Sequence, residues 1–177
     1  MIGFGSGLRF CKTAFVIVWL SVCATSAVAA GYSYLSAAQL AQLRALKIAI
    51  VLPADIPSGY RLVHFEAVRN VAKDGKSSNE YQLIFQDSAG HKVNIGAGDS
   101  EFGDADPDTS SFRRPFNATS PVLGRAMFEP YNVNGSWMWA ATYVPIDRSN
   151  PKALMNIEGT DTTALTRFFQ SMQRLPK

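Results

Sequence analysis

The residue types best suited to chemistry in this chain crowd into one stretch. GDSEFGDADPD carries Asp99, Glu101, Asp104, Asp106 and Asp108, five of the fourteen carboxylates in 177 residues. A hard cation such as calcium takes about six to eight oxygens, and an EF-hand loop wraps them with Gly at its sixth position and a bidentate Glu at its twelfth. Counted from Asp104, the sixth residue is Thr109 and the twelfth is Pro115. The EF-hand pattern therefore fails where it is most demanding. An irregular metal site, and with it a metal-assisted hydrolase built on loop 99–108, stays open as the alternative to a solvated loop just ahead of Arg113 and Arg114. General acid–base catalysis by a carboxylate pair needs one acid in an apolar pocket, which a loop rich in Gly, Asp and Pro does not offer.

Other chemistries have less to work with. His64 and His91 are the only histidines, and neither belongs to an H-x-H or H-x-x-x-H pair of the kind that opens a zinc site. There is no G-x-S-x-G nucleophile elbow. Gly96-Ala97-Gly98 runs into acids, which would repel a phosphate. No catalytic residue, no metal-ligating set and no cofactor are assigned, and the chain reads as non-catalytic.

The most suggestive feature is aromatic. In SWMWAATYVP, Trp137, Trp139 and Tyr143 alternate onto one strand face with Ala141 between them, and Phe128 and Tyr131 come from the preceding strand. These five are the candidate ligand-binding residues. A sheet face of aromatic and small residues can leave a cavity for an apolar ligand. The alternative is that the rings fill the core beneath a helix, the commoner fate of aromatic strands.

The N-terminus places the protein. Arg9 and Lys12 precede the apolar run AFVIVWLSVCATSAVAA, which closes in Ala27-Val28-Ala29. This is the layout of a cleaved secretory signal peptide over residues 1–29, with an uncleaved membrane anchor as the alternative. The run is at the short end of the roughly 20 residues that a spanning helix needs. Val22 before Cys23 is too bulky for a lipidation site. Cleavage removes both cysteines, Cys11 and Cys23, so the mature protein has no disulfide and no thiolate. It also removes Arg9 and Lys12, leaving fifteen basic residues against fourteen acidic. Nucleic-acid binding is excluded by that balance. Residues 30–177 are expected to form one domain, periplasmic or secreted, with no stable membrane span.

The positioning elements follow from periodicity and caps. Ser36 and Gln39 form a capping box, Leu35 and Leu40 a hydrophobic staple, and Leu40, Leu43 and Leu46 recur at helical spacing. KIAIVLP, YRLVHFEAVRNV, YQLIFQ, HKVNIG, PVLGRAMFEPY, SWMWAATYVP and ALMNIEG read as strands, joined by turn-forming stretches. In the second of these, Val63, Phe65 and Ala67 are assigned one face and Leu62, His64 and Glu66 the other. Residues 97–120 read as one long polar loop. Asp161 or Thr162 caps a last helix whose Leu165, Phe168, Phe169, Met172 and Leu175 share a face. The fold class is therefore α+β: a curved antiparallel sheet of about six or seven strands, a C-terminal helix packed on one face and a short N-terminal helix. Asn117-Ala118-Thr119 and Asn134-Gly135-Ser136 match the N-glycosylation pattern, which has meaning only in a eukaryotic secretory pathway.

Three short motifs carry a resemblance. Ile56-Pro57-Ser58-Gly59-Tyr60-Arg61-Leu62 opens the strand region, Tyr81-Gln82-Leu83-Ile84-Phe85 follows, and Ile157-Glu158-Gly159-Thr160 precedes the final helix. In this the chain resembles bacterial extracytoplasmic domains similar to the half-barrel of lipoprotein carriers and to the sensory domain of anti-sigma factors. The resemblance implies a curved sheet with a helix against it, used for binding, and supplies no catalytic residue. The expected function is a non-catalytic extracytoplasmic binding or accessory domain for an apolar small molecule or an envelope protein partner. A purely structural envelope protein is a further alternative.

Overall fold

The computed structural model describes residues 32–71, 77–99 and 113–176. The leader with Cys11 and Cys23, and Glu101, Asp104, Asp106 and Asp108 of the acidic stretch, lie outside the described residues.

The chain enters through α1 (Ala37–Ala45), whose start is fixed as its residues dictate. Ser36 Oγ accepts from Gln39 N at 3.2 Å, and Gln39 Oε1 accepts from Ser36 N at 2.8 Å. After the short strand β1 (Val51–Pro53) come β2 (Arg61–Val71), β3 (Ser77–Gln86), β4 (Lys92–Gly98) and β5 (Phe116–Ser120). β6 (Gly124–Val133) and β7 (Ser136–Pro145) form a hairpin. Its two-residue loop holds Asn134 at φ 51 and Gly135 at φ 84, the left-handed pair that Asn-Gly adopts at little cost. β8 (Leu154–Gly159), α2 (Thr162–Gln170) and β9 (Met172–Arg174) complete the chain. Asp161 caps α2 by accepting from Thr163 N and Ala164 N at 2.8 and 3.1 Å.

The architecture is α+β. Seven strands form an antiparallel sheet in the order β2-β3-β4-β8-β7-β6-β5, and β1 pairs with β9 in a separate ribbon. Strand alternation sorts the residues. Tyr81, Leu83, Phe85, Val93, Ile95, Met155 and Ile157 are buried on one face, in one cluster with Leu40 and Leu43 of α1, Val51 and Leu52 of β1, and Leu165, Phe168 and Phe169 of α2. Gln82, Asn94, Asn156 and Glu158 occupy the alternate positions.

Four local expectations are corrected. First, a β-bulge lies between Leu62 and His64, so Leu62, Phe65 and Ala67 pack toward the core while Val63 is 45% exposed. The extra residue reverses the side on which the strand began. Second, residues 97–120 are not all loop: Ala97 and Gly98 end β4, and Phe116–Ser120 pairs with β6 as an edge strand. Third, β3 begins at Ser77, inside the stretch assigned to a connection, because Ser77 to Glu80 pair with Val71 to Val68. Fourth, Met172 and Leu175 lie beyond α2. The chain leaves the helix at Ser171, whose carbonyl accepts from Ala54 N at 2.9 Å, and continues as the partner that β1 needs. Both side chains are buried nonetheless.

Gly159 shows how closely the strands meet the helix. A Cβ at this position would lie 2.6 Å from Lys92 O and 3.3 Å from Leu165 Cδ2. Gly159→Ala is expected to destabilise the protein by about 1–3 kcal/mol, the usual cost of overpacking, read as a lower urea midpoint with unchanged m-value.

The β3–β4 turn is built around a charge pair. His91 Nδ1 lies 2.8 Å from Asp87 Oδ2, and Asp87 Oδ1 accepts from His91 N at 2.8 Å. The hydrogen bond to Asp87, followed by its charge, raises His91 above 6.5, and the bond to His91 lowers Asp87 below 3.8. The pair is fully formed between those two values. It weakens as pH rises through the raised histidine pKa, or falls through the lowered aspartate pKa. An NMR titration should place the His91 midpoint above 6.5 and return it toward 6.5 in Asp87→Asn; equal midpoints in the two proteins would refute the pairing.

Candidate functional site

The five aromatic candidates do not share one surface. Phe128 is fully buried, stacked on Phe116 at 4.8 Å and 5°, and set edge-on to Phe169 of α2 at 5.5 Å. It is core. Tyr131, three residues on, lies on the opposite face, where its hydroxyl donates to Glu158 Oε2. Tyr143 sits in a second β-bulge, between Ala141 and Val144, with φ 56. That left-handed backbone is rare for a bulky residue. It is held where Tyr143 N donates to Asn156 Oδ1 at 3.0 Å, and the residue is 41% exposed. The simple alternation that groups Tyr143 with the tryptophans is broken by this bulge.

Trp137 and Trp139 do stay together. Both are half-buried, and the Arg113 guanidinium lies 5.3 Å from each ring centroid, a geometry in which the ring faces attract the cation. Trp139 Nε1 also donates to Arg114 O at 3.4 Å. These contacts hold the RRPF stretch against the start of β7, and β5 begins at its phenylalanine, Phe116. The helix α2 lies alongside. Between the two runs a groove of about 630 Å³, with Phe116 and Trp139 as its apolar lining and Arg114, Thr166, Arg167 and Gln170 among its polar residues. Thr162, Thr163 and Pro115 complete it.

Of the expected set, therefore, only Trp139 lines this groove, with Trp137 supporting it through Arg113. The groove's helical members lie on α2 away from the apolar face that the sequence marks out. Nothing local in the sequence of Thr166, Arg167 and Gln170 shows that α2 lies beside β5.

The other face of the sheet carries a row of polar side chains. Gln82 Nε2 donates to Asn94 Oδ1 at 3.0 Å, and Asn94 Nδ2 donates to Glu158 Oε1 at 2.8 Å. Tyr131 completes the row by reaching over β7, where the residue paired with Glu158 is the small Ala140. Burial first, and then the hydrogen bond and charge of Glu158, push the Tyr131 hydroxyl above its ordinary range, which keeps it a donor. Glu158 thus has both oxygens engaged as acceptors. A carboxylate tied down in this way is a structural tie across β3, β4, β8 and β6, and Glu66, in register with Gln82, and Glu129, in register with Ala140, are further acids on the same face.

Asp99, the first acid of the carboxylate-rich stretch, is equally committed. Its Oδ1 accepts from Asn79 N at 2.6 Å and its Oδ2 from Asn79 Nδ2 at 3.0 Å, while Asn79 Oδ1 accepts from Lys47 N at 3.0 Å. Asn79 is 1% exposed. This clamp joins the start of β3, the end of β4 and the chain after α1. Among the described residues no group of three or more His, Cys, Asp or Glu is placed to hold a metal ion. His64, 3.7 Å from Glu66, and His91 are both exposed. Among the described residues no helix is long and apolar enough to cross a membrane.

Compared with protein-family models, curated proteins and solved structures, the chain matches none of them.

Proposed function

We propose that the protein is a non-catalytic binding or accessory domain working outside the cytoplasm, and that its ligand is an envelope protein partner held in the groove beside Trp139. The observation that carries this reading is the groove itself, a shallow, open depression of about 630 Å³ with an indole and a phenyl ring in its wall. A binding cleft of this size is ordinary, and aromatic residues are the side chains most often responsible for affinity in protein interfaces. Its openness favours a segment of a protein over an enclosed apolar small molecule. The enclosed volume that such a molecule would need is filled by Phe85, Phe128, Phe168 and Phe169, all fully buried. The signal-like leader and the resemblance to extracytoplasmic binding domains support the compartment.

The test is to purify the protein from its own envelope fraction and identify co-purifying molecules by mass spectrometry, for the natural sequence and for Trp139→Ala. A protein recovered with the first and lost with the second supports the reading. Recovery unchanged by Trp139→Ala overturns it.

A further inference from the structure

We infer that the groove receives an acidic segment of its partner protein, an extended stretch in which a carboxylate follows an apolar side chain. This rests on the binding reading above and adds the chemistry of the occupant. Two features of the groove carry it. Among the described residues its lining includes the guanidinium-bearing Arg114 and Arg167, both exposed, and no carboxylate. Among the described residues neither arginine is in an ion pair; the ion pairs formed there are those of His64 and His91. Asp161, the acid nearest to the groove in sequence, spends its Oδ1 on the first turn of α2.

A third cation, Arg113, is held at the rim by Trp137 and Trp139. An arginine fixed on ring faces keeps its planar edge for a carboxylate, which it binds with two parallel hydrogen bonds. Meanwhile the rings of Phe116 and Trp139 offer an apolar side chain a place to be buried, Gln170 offers hydrogen bonds to a partner's backbone, and Thr166 Oγ1, which donates to Thr162 O at 2.8 Å, keeps its capacity to accept. A bare anion would leave the aromatic wall unused. A bilayer surface would need a protruding apolar element, whereas the apolar residues of α2, Leu165, Phe168 and Phe169, are fully buried.

The experiment uses three fluorescent peptides of equal length, Leu alternating with Asp, with Ser or with Lys, and fluorescence anisotropy with the purified protein. Vesicles of phosphatidylcholine containing phosphatidylglycerol form a fourth arm. The Leu–Asp peptide is expected to bind about tenfold more tightly than Leu–Ser, with Leu–Lys weakest, and to weaken as salt rises. Arg114→Glu combined with Arg167→Glu should reverse the order of Leu–Asp and Leu–Lys, and the exposed positions should leave the far-ultraviolet circular dichroism unchanged. Equal binding of Leu–Asp and Leu–Ser, lost in Trp139→Ala, overturns the acidic occupant while the binding reading stands. Arginine-dependent binding to vesicles without peptide binding overturns the protein segment as occupant. No binding in any arm overturns the inference, and the binding reading is then judged by co-purification alone.

Discussion

Phe128→Ala is expected to cost about 3–5 kcal/mol of stability, the usual loss for a phenyl ring removed from a packed core. The ring is fully buried between Phe116 and Phe169 and joins β5 and β6 to the C-terminal helix. Such a loss is a large part of the roughly 5–15 kcal/mol that holds a domain folded. Trp139→Ala removes a larger side chain, but from a half-buried site at the edge of a groove. Its expected cost is about 1–2 kcal/mol, for partial burial and one cation–ring contact. Urea unfolding of both variants therefore separates two residues that look alike in sequence. Equal losses would mean that Trp139 is core as well and that the groove has no aromatic wall to offer.

Tyr81→Phe is the second large effect. The Tyr81 hydroxyl donates to Val51 O at 2.8 Å and accepts from Val51 N at 3.1 Å, and both residues are buried. A side chain from the large sheet thereby satisfies the backbone of a strand that belongs to the small one. Burial pushes the hydroxyl well above its ordinary range, so it remains a neutral donor. Removing one oxygen strands a buried N–H and a buried C=O, at about 1–3 kcal/mol each. The expected total is about 2–6 kcal/mol, with faster amide exchange at Val51, Leu52 and Met172–Arg174. A loss below about 0.5 kcal/mol, typical of a surface change, would show that the ribbon does not depend on this bond.

What could be read from the residues alone divides along physical lines. α1 and α2 were legible because their signals are local: the Ser36–Gln39 capping box, and Asp161 ahead of Leu165, Phe168 and Phe169. The β6–β7 hairpin was legible because Asn134-Gly135 favours the left-handed backbone of its turn. β5 was not. FNATS is five residues of mixed polarity, and it becomes a strand because β6 is available to pair with it and Phe128 to stack on Phe116. Neither bulge has a glycine or proline to announce it, yet each reverses which side chains share a face. That is why Val63 was assigned beside Phe65, and Tyr143 beside Trp139.

The groove shows the same division. Its aromatic member was conspicuous in sequence, whereas its helical members lie more than twenty residues away and meet Trp139 only through the tertiary fold. Arg113 and Arg114 were noticed as neighbours of the acids. Among the described residues their contacts are with the tryptophans, Arg113 through the ring faces and Arg114 through its carbonyl. Asp99 stood out as a possible ligand, and in the fold it accepts from Asn79 through both oxygens.

The groove beside Trp139 as the place where a partner docks is tested most directly by site-specific photo-cross-linking in the producing cells. A photoreactive phenylalanine replaces Thr166, in the groove, or Ser149, in the turn between β7 and β8 at the far end of those strands. A discrete protein adduct is expected from position 166, absent from position 149 and lost when Trp139→Ala is added. The same adducts from both positions, or an adduct from 166 that survives Trp139→Ala, would contradict docking in the groove.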